Sequence, residues 1–303
     1  MPFAFPDRDE PVSKSVRRLA RNRMEASLAL VADADRPLPE RIRELRKNIK
    51  KTRALIRLVR PNFKGFDREN DALRKAAAVI ADLRDNDALA EAFDAVARRV
   101  YVPFDAREAL RARILKPLPS PEVEGDATGA GATGAEGASP VDAALAEHAR
   151  LVQGIAERAR GWKIGPTGFD ALAPGLERTW SAAQKAMRQS QAEPTGLSLH
   201  QWRKRAKDHW YHARLLAPVW PEMMAHHVAA ADALGERLGE ARDLAFLIEA
   251  LTGAEGGEDF IATARQEEDR LLDAASTLGT RFFSEPAQGL SRRWRGWWEI
   301  WRA

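Results

Sequence analysis

The chain repeats itself at long range. Arg43, Arg46, Lys47, Lys50 and Arg57 are answered by His200, Arg203, Lys204, Lys207 and Arg214, every pair 157 positions apart. A second match, Leu83-Arg84-Asp85 through Leu89 against Ala241-Arg242-Asp243 through Leu247, runs at an offset of 158. One residue of slippage is an ordinary loop change. A duplicated unit is therefore expected, and duplicated helical units commonly pack about a pseudo-two-fold axis.

Each copy reads as helical. Val16, Leu19, Leu28 and Leu30 recur among charged residues from Val12 to Val31, and Pro37 and Pro39 then interrupt the pattern. Proline is tolerated in a first turn, so a second helix starts near Pro39 and runs to about Val59, stopped by Pro61. Residues 68–98 keep apolar spacings of three and four with no internal Gly or Pro, which predicts one helix; a shorter helix follows Pro103. The pattern resumes at Val141, breaks from Gly161 to Pro166, and returns over 170–191, 197–216, 221–251 and 258–278. The expected fold is all-α, with residues 12–116 as the first half and 141–303 as the second, each a four-helix bundle. Between them, 117–140 is Pro, Gly, Ala and Thr with almost nothing to bury, and reads as a flexible linker. Trp294, Trp297, Trp298 and Trp301 share one face of a last helix; core packing is expected of them, with an interfacial anchor ringed by arginines as the alternative.

Charge is concentrated, although the net value is only +4. Residues 12–60 carry 15 Lys and Arg against 5 Asp and Glu, which leaves the rest of the chain net acidic. At about 100° per residue, Arg43, Arg46, Lys50, Arg53 and Arg57 fall within one arc beside the apolar stripe of Ile42, Leu45, Ile49 and Ile56. His200, Arg203, Lys207, Tyr211 and Arg214 make the corresponding arc in the second copy. Solvated helix faces usually interleave Glu with Lys. Here no acidic residue occurs between Glu44 and Asp67, so the stripe repels itself unless an anion compensates it. Lys14, Arg17 and Arg21 add a basic face on the first helix, and Arg178 answers Arg21 at the same 157-residue offset. The absence of Cys, of a long apolar run and of a secretory pattern points to the cytoplasm. His209 with His212, or His226 with His227, lack further ligands at metal spacing, so no metal is expected.

His200-Gln-Trp-Arg203-Lys204-Arg-Ala-Lys207, followed by Tyr211, resembles the signature helix of the CHAD domain family, and Arg242-Asp243-Leu244 after Leu238-Gly239 resembles its second signature. The first copy departs from the pattern: Arg43 stands where the family's histidine would be, which keeps positive charge and removes a pH-sensitive group. The resemblance runs from about Val12 to Trp301 and implies two bundles about a pseudo-two-fold axis, with a basic central channel that binds inorganic polyphosphate. It also implies a non-catalytic protein without cofactor, cytoplasmic and associated with polyphosphate granules. On that reading Arg17, Arg21, Arg43, Arg46, Lys47, Lys50, Arg53, Arg57, Arg178, His200, Arg203, Lys204, Lys207, Tyr211 and Arg214 contact phosphate. A polyanion would favour protonated His200. Asp85 and Asp243 would orient neighbouring basic side chains. Two alternatives remain at this point. A hydrolase of phosphate chains would need metal-binding carboxylates, and the Glu122, Glu124 pair sits in the linker. A nucleic-acid binder would share the basic groove, without any recognition motif to specify bases.

Overall fold

A computed structural model describes residues 3–5, 9–81, 83, 85–114 and 139–303, with 85–88 as backbone alone. Among the described residues there are eleven α-helices and no strand. They are α1 (Val12–Ala32), α2 (Leu38–Leu58), α3 (Phe66–Val79), α4 (Asp85–Ala97), α5 (Phe104–Ile114), α6 (Pro140–Ala159), α7 (Ala173–Ala192), α8 (Gly196–Leu216), α9 (Pro221–Leu251), α10 (Glu258–Phe282) and α11 (Ala287–Arg302). Pro39 sits in the first turn of α2, as expected. The start of α8 is fixed by a reciprocal cap: Thr195 Oγ1 accepts from the Ser198 amide at 3.1 Å, and Ser198 Oγ accepts from the Thr195 amide at 2.9 Å. Two amides that the helix itself cannot satisfy are thereby paired.

Helix α1 packs on α2 and α6, and α3 packs on α2 and α6; α7, α8, α9 and α10 follow one another in contact, with α11 on α7. Helix α2 crosses from the first group to lie on α7 and α8. The stripe of Ile42, Leu45, Ile49 and Ile56 that flanks its basic arc is wholly buried, each side chain contributing about 1.5–3 kcal/mol. One apolar cluster runs from α1, α2, α3 and α6 into α7, α8, α9 and α11. A second joins α4 and α5 to α9 and α10.

One expectation needs correcting. Residues 68–98 are two helices, because α3 ends at Val79 and α4 begins at Asp85. The chain changes partner there, from α2 and α6 to α9 and α10, and Asp85-Asn86-Asp87 supplies residue types that favour a new helix start over a helix interior. Helix α6 follows the 117–140 segment, yet it lies on α1 and α3, where His148 Nδ1 is 2.7 Å from the Ala76 carbonyl oxygen. The Gly-rich segment itself, up to residue 138, lies outside the described residues.

The tryptophan face of α11 is core. Trp294 and Trp298 are buried, while Trp297 and Trp301 pack at its edge. The surrounding arginines are engaged: Arg295 with Asp170 and Arg293 with Glu285, both at 2.6 Å. No described helix is long and apolar enough to cross a membrane.

Where α7 meets the end of α2, Gly175 leaves no room for a side chain, since a Cβ would collide with the Leu58 carbonyl. Gly175→Ala should therefore force the two helices apart and lower stability by roughly 1–3 kcal/mol. Urea unfolding checks this; an unchanged midpoint would mean the crossing relaxes freely.

Candidate anion-binding surface

The basic arcs of α2 and α8 meet because the helices that carry them cross. Two polar contacts tie that crossing. His212, fully buried, places Nε2 2.9 Å from the Ala54 carbonyl oxygen; burial pulls its imidazole down to about 4, so it is neutral at pH 7 and donates from Nε2. Arg57 Nη1 of α2 donates to Asp208 Oδ1 of α8 at 2.6 Å, with side chains 14% and 7% exposed. Arg205 Nη1 reaches the other carboxylate oxygen at 3.4 Å. This corrects the sequence argument that the α2 stripe lacks compensation: its last arginine is neutralised, by a carboxylate of α8.

Helix α9 shapes the second basic arc. Gly235 and Gly239 lie one turn apart, and a Cβ at Gly239 would come within 2.7 Å of the Arg203 guanidinium, one at Gly235 within 2.5 Å of the Lys207 chain. The two cationic side chains thus lie flat along the backbone of α9. Lys207 Nζ is held by Glu236 at 2.6 Å and Asp232 at 3.1 Å, and sits 4.2 Å from the centre of the Trp210 ring, with Arg214 on the same ring at 4.7 Å. Arg43 of α2 also acts on Glu236, whose carboxyl is held below its ordinary value by the Lys207 hydrogen bond and by Lys207, Arg203 and Arg43 against the opposing effect of burial. Further along, Arg53 and Lys204 share a field with Arg57 and Arg205: burial first, then those neighbours, pulls Arg53 down to about 10 and lowers Lys204. Arg53 Nε also donates to Asn70 at 3.3 Å. His200, exposed at the start of α8, is lowered by partial shielding and by Arg242, Lys204 and Arg203.

The family model of the CHAD domain matches residues 15–252. The chain belongs to the CHAD domain family. Curated proteins yield no match to it. The matched span of this CHAD protein takes in α2, α8 and all of α9, and leaves α10 and α11 outside.

The remaining candidates of the CHAD chain are placed as follows. Arg46 Nη1 donates to the Ala81 carbonyl at 3.1 Å, tying α2 to the end of α3. Lys47 pairs with Glu44 at 3.0 Å, and Lys50 is exposed. Tyr211 is buried against Phe3 and Trp210, and burial raises its phenol to about 12. Three residues are not brought into the α2 and α8 arcs by any of these contacts. Arg17 bonds to the Trp162 carbonyl, Arg21 pairs with Glu25 on its own helix, and Arg178 is exposed on α7. Asp243 is half-buried and lines a cavity with Arg98, Arg99 and Glu267, while the Asp85 side chain lies outside the described residues. His209 and His227 face each other at 2.8 Å inside an aromatic cluster, and no group of three or more metal-binding side chains occurs among the described residues.

One residue was not among the candidates. Lys51 is buried, and burial, then Arg23, Lys47 and Arg214, pull its ammonium down to about 8, with Glu44 alone opposing. The repeat offset carries Lys51 onto Asp208 and Arg57 onto Arg214. At one place the copies set a carboxylate beside the arginine; at its equivalent they set a lysine. Lys51 makes no ion pair among the described residues. Reading the repeat for differences as well as identities would have found it.

A lysine with a lowered native value holds fewer protons than the unfolded chain from pH 8 to 10.5. Its cost is therefore complete below pH 8 and is relieved as the pH rises through that window. Lys51→Met should stabilise the ligand-free protein at pH 7 by on the order of 3 kcal/mol, with the gain shrinking above pH 8. Denaturant titrations at pH 7 and pH 9.5 test it, and a gain independent of pH would contradict it.

Proposed function

We propose that this CHAD protein binds inorganic polyphosphate on the surface where α2 and α8 cross, without catalysing its turnover. The family is associated with polyphosphate-related functions. The observation that carries the reading for this chain is the convergence of both copies' cations on one crossing: Arg43 with Arg203 and Lys207, Arg53 and Arg57 with Lys204 and Arg205, and Lys47 and Lys51 with Arg214. In this reading the copies are related by a pseudo-two-fold axis through the crossing, and the basic arcs line a central channel. Arg43, Arg46, Lys47, Lys50, Arg53, Arg57, His200, Arg203, Lys204, Lys207 and Arg214 supply its positive field.

The chemistry suits a repeating anion. Arginine offers a planar fork to phosphate oxygens, and lysine a mobile point charge, so a mixed arc accepts many registers of one chain. Arg203 and Lys207 are already laid against α9, which lowers the entropy lost on binding. Phosphate also replaces what the protein lacks around Lys51, and its approach raises the Lys51 and His200 values again, so binding takes up protons near pH 8. In the same reading the protein acts in the cytoplasm, at polyphosphate granules.

Binding of long-chain polyphosphate should be tight at low salt and weaken by about a thousandfold between 50 and 200 mM salt, as counterion release requires. Changing Arg46, Lys50, Arg203 and Lys207 to Gln should lower affinity by roughly a hundredfold or more, while the circular dichroism stays native. Glutamine is preferable to glutamate because Lys207 touches two carboxylates. Equal competition by duplex DNA would favour a general nucleic-acid binder, and unchanged affinity in the variant would remove the assignment.

A further inference from the structure

A second basic site lies away from the α2 and α8 arcs, at the ends of α1, α3 and α6. A cavity of about 920 Å³ opens there between the loop after α2 and the loop after α6, which are joined by the Gly165 amide donating to the Asn62 carbonyl at 3.3 Å. Five cationic side chains line it, Arg17, Lys64, Arg68, Arg158 and Lys163, and no carboxylate does. They come from α1, α3, α6 and both loops, so the convergence is a product of the fold and not of one helix face.

The nearest compensation is Glu69, wholly buried, which accepts from Arg68 at 2.9 Å and from Arg158 at 3.0 Å. One carboxylate is thus shared by two guanidinium groups. Arg17 spends a donor on the Trp162 carbonyl at 3.3 Å, a neutral group. Lys64 and Lys163 are exposed and form no ion pair among the described residues. Beneath them Phe63 and Trp162 pack with ring centres 5.0 Å apart, and the buried Trp162 indole N–H has no hydrogen-bond partner. Both rings are buried, so they give the cavity a rigid floor without an open face on which a base could stack.

From this geometry we infer that the cavity between α1, α3 and α6 binds a compact oligophosphate group, at a site separate from the surface where α2 and α8 cross. Five cations against one shared carboxylate leave an excess that a single carboxylate ligand cannot balance, whereas linked phosphates deliver several charges within the size of a small-molecule site. The inference stands whether or not long-chain polyphosphate binds at α2 and α8. The same chemistry has two sources: the end of a long phosphate chain, or a free molecule bearing a triphosphate.

The test is calorimetric titration of the full chain with inorganic tripolyphosphate at low salt. Three proteins are compared: wild type, the double variant Lys64→Gln, Lys163→Gln, and the double variant Arg203→Gln, Lys207→Gln. The cavity variant should lose about tenfold or more in tripolyphosphate affinity, while the α8 variant keeps it and loses long-chain binding instead. Both cavity lysines are exposed, so folding should survive, and thermal melts of the variants check that. Displacement of tripolyphosphate by ATP identifies a free triphosphate as the occupant; displacement by long-chain polyphosphate alone identifies a chain end. Either supports the site. Tripolyphosphate affinity unchanged in the folded cavity variant, or no measurable binding to wild type, overturns it.

Discussion

The structure depends on bringing two strongly basic helices into contact. Helix α2 must bury Ile42, Leu45, Ile49 and Ile56 to hold its place, and the arc beside that stripe carries its arginines into the crossing with α8. Like charges brought together in a partly dry setting cost free energy. The fold offsets part of that cost locally. Asp208 neutralises Arg57, Asp232 and Glu236 hold Lys207, and the neutral His212 supplies a charge-free tie to Ala54. What is left over, chiefly around Lys51, is the portion the protein does not compensate for itself.

That remainder is unevenly spread along the crossing of α2 and α8. Positions 157 apart do not all carry like residues, and a difference at one of them alters one end of the crossing only. Asp208 and Lys51 are such a pair. The Asp208 end is closed by an ion pair, and the Lys51 end keeps three cationic neighbours. The two ends of the crossing therefore present different electrostatic fields.

Local features were legible in the sequence and distant ones were not. The buried stripe of α2 and the tryptophan face of α11 follow from spacing within one helix, and both lie in the core. The partner of Arg57 was invisible, because Asp208 is brought to it by the crossing. Lys51 lay outside the basic arc and so was passed over. The division at 117–140 followed composition, whereas α6 packs by its buried face, with Leu145, His148, Val152 and Ile155 turned inward. The break between α3 and α4 carries no Gly or Pro, and it is explained by the change of packing partner together with the helix-starting Asp85-Asn86-Asp87. The cavity at Arg17 drew on five separate chain segments, of which the first helix alone had been singled out.

The placement of α6 has a consequence for how the chain is made. Helix α1 packs on α6 as well as on α2, but the ribosome delivers α2, α3, α4 and α5, then the Gly-rich segment, before α6 appears. During that interval the part of α1 that packs on α6 stays open, and closing it joins residues of high sequence separation, a slow kind of step that leaves nascent chains prone to stray association. The basic arc of α2 emerges in the same interval, before α8 and its Asp208 exist. Like charge along that arc opposes such association until α8 is made.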